Sequence, residues 1–452
     1  MSWIPSWVSD SSLLRSAESS AVPDHWINMG ARGGPVSWGT TPPQVPLDVE
    51  NYPVAPEGLE LQQVHVYVRH GERTPVGVRL AGPPANIPEH WLMCAAGRRA
   101  RPLDLENSQV QLEKVSHVHK GVERSDGSTI ENQCLLGELT DLGRQTTLNY
   151  GKALRKLYID RLGLLPEKLG STSEVYFRTT NMARTTETLQ NVIHGLYPAS
   201  NCPSGVHPTI LIRNGKDENL LGNTYSCKRL ELIQLGFAQA AAAAYNPTLE
   251  PLDNKLSKYL NGNGIRVDGK PRASGVMDTV RAAIAHGVKV PPEFEDPAIV
   301  DAIERAVITE WFQDKTEEGR RLGMGRLLED LSRKMQSKVE RGSTDPLKML
   351  VHSTHDTALA ALCQTLDVFD NKWPAFTASI TFELFSKVSG GEPIVRMRYQ
   401  NKNLALPICA EPGKHLDGHP EFCTFSAFKE RVKELTPTDW EAECAPSGRA
   451  TT

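Results

Sequence analysis

Residues 66–75 read VYVRHGERTP, and they could do chemistry. Arg69 and Arg73 are planar forks suited to gripping phosphate or carboxylate oxygens in bidentate fashion. His70 stands between them, Gly71 permits a close backbone approach, and Pro75 fixes the exit. Taken alone, the decapeptide also fits a salt-bridged surface turn in which Glu72 neutralises one arginine. Two further stretches weigh against that. EVYFRTT ends in Arg178, and KMLVHSTHD supplies His355 and Asp356, with Asp356 opening a helix whose amino terminus favours an anion. Strands that run into such bends place their last side chains at the carboxyl edge of a sheet, where open α/β folds bind ligands. Three arginines, two histidines and one carboxylate at three strand ends specify an anion pocket with an acid beside it.

The elements that must position these groups can be read from periodicity. LQQVHVYV alternates and then turns wholly apolar and β-branched, which predicts a buried strand beginning near Leu59. After the bend, residues 76–135 are rich in Gly, Pro and polar side chains and read as a long excursion. Thr140 caps a predicted helix through about Leu162, and SEVYFRTT is a short strand followed by a helix that stops at Pro198. The stretch 200–343 is helix-rich. KMLVHSTH then restores a buried strand, DTALAALCQTLDVF a helix, and SITFELFS with IVRMRYQN an antiparallel pair across a GG turn. The expected class is α/β, a mixed sheet flanked by helices and split around an inserted helix-rich cap domain. The expected boundaries are an irregular arm over 1–57, core over 58–199, cap over 200–343, core again over 344–435 and a tail over 436–452.

RHGERTP followed, near the other end of the chain, by HD at a strand-to-helix junction resembles the histidine acid phosphatase branch of the histidine phosphatase superfamily. The likeness runs in order from about residue 60 to 430. FRTTNMARTTET matches the region that supplies the family's third phosphate-binding arginine, and ELTDLGRQTTLNYGKALRKLY matches the helix between the motifs. The resemblance implies a phosphoglycerate-mutase-like fold and hydrolysis of phosphate monoesters through a phosphohistidine. His70 would be the nucleophile. Arg69, Arg73, Arg178 and His355 would hold the non-bridging oxygens, and Asp356 would protonate the departing alkoxide and then assist the water. No cofactor or metal is expected, because the arginines already neutralise the phosphoryl group. HSTH offers a metal reading through His352 and His355, yet residues three apart on a strand face opposite sides. His352, like His65, reads as a packed strand histidine, and Arg184 as a support that pairs with a core carboxylate. A small-molecule or lipid phosphate monoester is the expected substrate. An inositol polyphosphate phytase is the nearest rival, although no lysine cluster follows RHGERTP. A non-catalytic phosphate-binding scaffold would have lost His70 or the HD pair, and neither is lost.

Composition fits this picture. The 452 residues exceed the roughly 250–300 at which one core stops growing. Fifty Lys and Arg against 54 Asp and Glu leave a net charge of −4, so no global basic field favours nucleic acid or an anionic membrane. No apolar run approaches the roughly 20 residues needed to span a bilayer. The first residues show neither a signal peptide nor a transit peptide, and Asn-x-Ser/Thr acceptors are absent, which favours the cytosol or mitochondrion. Eight cysteines are spread along the chain without a CxxC pair. The resemblance implies a carboxyl-terminal disulfide between Cys409 and Cys423. Cys202 with Cys227 would bracket a strand-and-loop excursion, and Cys363 reads as a buried thiol. Disulfides at those positions would favour an oxidising, secretory route instead.

Overall fold

The computed structural model describes residues 45–98 and 120–446. Most of the expected arm, residues 99–119 of the excursion and the last six residues of the tail lie outside the described residues. Strand β1 (Leu59–Arg69) runs through the centre of the molecule. Val64, Val66 and Val68 are fully buried on one of its faces and Tyr67 on the other, as an apolar run covered on both sides requires.

Helix α1 (Asp141–Arg155) starts at Thr140, whose hydroxyl accepts from Gly143 N, and it continues as a π-helical stretch to Arg161. Strand β2 (Val175–Thr179), helix α2 (Ala183–Leu196) and strand β3 (Ile210–Ile212) follow. Four long helices come next: α3 (Lys228–Leu249), α4 (Ala273–Ala285), α5 (Pro297–Phe312) and α6 (Arg326–Arg341). Strand β4 (Met349–Thr354) leads directly into α7 (Asp356–Thr365). Strands β5 (Ser379–Lys387), β6 (Ile394–Tyr399), β7 (Lys402–Leu404), β8 (His415–Leu416) and β9 (His419–Thr424) and helix α8 (Phe425–Leu435) complete the chain.

The strands form one mixed sheet in the order β3-β2-β4-β1-β5-β6-β9-β8, with β7 paired to β6. The pairs β1–β4, β4–β2 and β2–β3 are parallel, and those from β1–β5 outward are antiparallel. One face packs against α1 and α2 through Val64, Val66, Leu154, Leu189 and Val192. The other packs against α6, α7 and α8 through Tyr67, Leu331, Leu359, Phe382 and Phe428. A separate apolar cluster joins α4 and α5 to Leu80, Ile87, Trp91 and Trp373. Thus β3, which lies within the helix-rich segment, hydrogen-bonds into the main sheet, and α6 of the same segment packs on a face of that sheet.

The bend after β1 rests directly on the first turn of α1. A Cβ on Gly143 would lie 2.1 Å from Glu72 O, and one on Gly71 would lie 2.6 Å from Gly143 O. Only glycine at both positions lets the two backbones touch.

Three disulfides are present among the described residues: Cys94–Cys134, Cys227–Cys444 and Cys409–Cys423. The Cys409–Cys423 pair forms as the resemblance implied. The expected Cys202–Cys227 pair does not. Cys202 is a free thiol packed against the α1–α2 side of the sheet, whereas Cys227 caps α3 in a small cluster with Leu230, Leu322 and Cys444. Strand β3 carries the chain from one cluster to the other, so the two sulfurs never meet. Cys363 is a buried free thiol. No helix among the described residues is long and apolar enough to cross a membrane.

Candidate active site

The register of the parallel strands brings the motifs together. Arg69 is opposite Thr354 on β4, and His70 N donates to Thr354 O at 3.0 Å, so the RHG bend and the His355–Asp356 junction leave the sheet side by side. Arg69, His70, Arg73, His355 and Asp356 are all buried. The Arg69 guanidinium donates to Pro374 O at 2.8 Å, lies 2.7 Å from Asp356 Oδ2 and stacks 4.1 Å from the centre of the Phe376 ring. Arg73 is held by Asp278, at 2.8 Å, and by its neighbour's carbonyl, Thr74 O.

His70 Nδ1 lies 2.9 Å from Gly71 O. A proton on Nδ1 donated to that carbonyl leaves the Nε2 lone pair for attack on phosphorus. Burial, then Arg69 and Arg73, push the imidazole pKa well below its usual value, so it stays neutral and nucleophilic in mild acid. His355 is likewise depressed by burial, Arg184 and Arg69, and its Nε2 lies 3.0 Å from Thr180 Oγ1. Burial raises Asp356 to about 6 against the opposing pull of Arg69. A carboxyl of that value is part protonated in mild acid, as a proton donor requires.

Two placements differ from the sequence expectation. Arg178 is level with His352, which in turn is level with Tyr67, so it sits two residues short of Arg69 along the strands. That is roughly 6.5 Å at about 3.3 Å per residue. There it pairs with Glu218 and donates to Asn219 Oδ1 at 2.8 Å. Arg184, expected to be a helix support, lies in the first turn of α2, where helical side chains lean back towards the amino end. Its charge acts on His355, and Asp356 and Asp278 act on it, while burial lowers its pKa to about 10. The site therefore takes in Arg184 and leaves Arg178 beneath it.

Glu72, unassigned from sequence, is buried, and burial raises it to about 7. His352 stacks on Tyr67 at 4.5 Å between ring centres, as a packed strand histidine. Sequence reasoning missed Asp278 and Arg281. Both lie on α4, and Arg281 pairs with Glu304 at 2.7 Å, near enough to Arg69 and Asp356 to act on them. A signal was present: VMDTVRAAIA carries two opposite charges one turn apart in an otherwise apolar helix.

A family model described as "Histidine phosphatase superfamily (branch 2)" matches residues 60–400, a span that includes both motif ends of this pocket. The chain belongs to that superfamily branch. A probable acid phosphatase of Schizosaccharomyces pombe is 33% identical over 86% of this chain and 95% of its own length. Lysophosphatidic acid phosphatase type 6 of Bos taurus is 27% identical over 79% of this chain and 82% of its own. Among solved structures, a Hafnia alvei phytase aligns with a TM-score of 0.56 at 15% identity, covering 85% of this chain and 98% of its own, which is a likeness of fold. The protein is a histidine acid phosphatase, a phosphoric monoester hydrolase.

The two arginines separate cleanly by experiment. Arg184→Ala is expected to lower kcat/KM for a phosphate monoester by about 10²- to 10³-fold with little change in thermal midpoint, the cost of removing one preorganised oxyanion donor. Arg178→Ala leaves Glu218 buried without its partner and should destabilise the fold by about 3–5 kcal/mol. Initial rates and melting curves on both variants check this, and equal kinetic losses would restore Arg178 to the site.

Proposed function

We propose that the enzyme hydrolyses phosphate monoesters by double displacement at His70, with Arg69, Arg73, Arg184 and His355 around the phosphoryl group. In the first step His70 Nε2 forms a bond to phosphorus, the ester P–O bond breaks, and the proton of Asp356 passes to the departing alkoxide. In the second, water attacks phosphorus, its proton returns to Asp356, and the N–P bond breaks to release phosphate. The observation that carries this reading is a neutral, buried imidazole between two arginines, with a carboxyl raised to about 6 on the adjoining strand end.

Charge favours a substrate with one phosphate. When Asp356 is protonated, the arginines Arg69, Arg73, Arg184 and Arg281 face the carboxylates Asp278 and Glu304, a surplus of two positive charges. One phosphate dianion balances that surplus. A lipid phosphate monoester such as lysophosphatidic acid is the substrate suggested by the mammalian relatives' names. The three disulfides support an oxidising compartment.

The test is a panel of lysophosphatidic acid, glycerol 3-phosphate, p-nitrophenyl phosphate and myo-inositol hexakisphosphate at pH 5. The three monophosphates are expected to exceed the hexakisphosphate at least tenfold in kcat/KM. Preference for the hexakisphosphate would overturn the single-phosphate reading, and lysophosphatidic acid slower than glycerol 3-phosphate would overturn the lipid one.

A further inference from the structure

Helix α4 is buried all round: every residue from Ala273 to Ile284 is shielded from solvent. Charge inside such a helix costs free energy unless it meets a fixed partner. Asp278 meets two, both on the bend that carries the nucleophile. Its Oδ1 accepts from Arg73 Nη2 at 2.8 Å, and its Oδ2 accepts from Val76 N at 2.8 Å. Arg73 Nη1 donates to Thr74 O, also at 2.8 Å, so the plane of the guanidinium is set from both ends.

The same helix reaches the other side of the bend at its carboxyl end. His286 Nδ1 lies 2.7 Å from Ala282 O and its Nε2 lies 2.8 Å from Thr140 Oγ1. Thr140 N donates in turn to Glu72 O at 3.0 Å. Burial lowers His286 to about 4, so at pH 5 it is neutral and can accept the threonine proton. The segment from Glu72 to Val76 is thus gripped at two points by one cap helix.

We propose that Asp278 is a positioning residue for phosphoryl transfer, fixing the Arg73 guanidinium so that the phosphate cradle is complete only while α4 is seated against the bend. This rests on the double displacement at His70 described above. Charge in the phosphoryl transition state spreads over three equatorial oxygens and needs donors of set direction, whereas ground-state attraction needs only a nearby cation. Loss of Asp278 leaves the Arg73 charge in place and removes its direction. The effect therefore falls on kcat more than on KM.

The experiment compares the parent chain with Asp278→Asn and Asp278→Ala on p-nitrophenyl phosphate at pH 5. Rates are normalised to the folded fraction from melting curves. For each variant we expect a kcat 10- to 100-fold lower, a KM within threefold of the parent, and partial recovery of Asp278→Ala by added formate, which returns a carboxylate to the space. Formate should not accelerate the parent. Normalised kcat within twofold of the parent in both variants, or losses that vanish on normalisation with no formate effect, would overturn the proposal. A parent without His70-dependent turnover would overturn the underlying displacement reading as well, so the two failures are distinguishable.

Discussion

His70→Ala is expected to lower phosphatase turnover by about 10⁵-fold or more, the scale seen when a covalent nucleophile is removed from a preorganised site. The reason is visible in the surroundings of the ring. In the proposed double displacement the arginines and His355 hold and polarise the phosphoryl group. The bond to phosphorus needs an atom with a lone pair, the role proposed for His70 Nε2, with Nδ1 engaged at Gly71 O. Burial and two neighbouring arginines keep the ring unprotonated in mild acid, where most exposed histidines would carry charge. Brief mixing with labelled substrate followed by quenching should trap a phosphoenzyme that is stable to base and labile to acid. That adduct should be missing from the alanine variant. An undiminished adduct would move the nucleophile elsewhere.

The second large effect is at Asp356, and it depends on the leaving group. Asp356→Asn should reduce kcat for an alkyl phosphate by about 10²- to 10⁴-fold, because the alkoxide then leaves without a proton. For p-nitrophenyl phosphate, whose phenolate departs unaided, the first step should change little. The pH dependence carries the same signature. With its value raised to about 6, Asp356 is protonated and competent below that pH, and it loses its proton as pH rises through 6. Alkyl phosphate turnover should therefore fall about tenfold per pH unit on the alkaline side, and the asparagine variant should lack that limb. An identical alkaline limb in the variant would assign the proton to another group.

Much of this site was legible in the residue order, for physical reasons. The strands β1 and β4 lie side by side in the middle of the mixed sheet and are buried on both faces, so their sequences are largely apolar and the charge at their ends stands out against that run. The bend and the HD junction are both of this kind. Arg178 misled because a lone strand does not reveal its level relative to its neighbours. Only pairing with β4 shows that Arg178 sits beside His352 rather than at the edge. Arg184 was misplaced for the complementary reason: the direction of a first-turn helical side chain depends on where the helix axis points, which periodicity does not encode. Cys227 meets Cys444 across 217 residues, and Asp278 meets Arg73 across 205, contacts set by how distant segments pack rather than by local spacing.

The placement of β4 between β1 and β2 has a consequence for how the enzyme is made. Both motifs translated first, RHGERTP and FRTTNMAR, end strands that flank a position filled only by the later strand ending at Thr354. A growing polypeptide therefore carries His70 for most of its synthesis before the His355–Asp356 junction that lies beside it has been made. The pocket can be completed only when the chain is long enough to supply the strand that closes its own sheet.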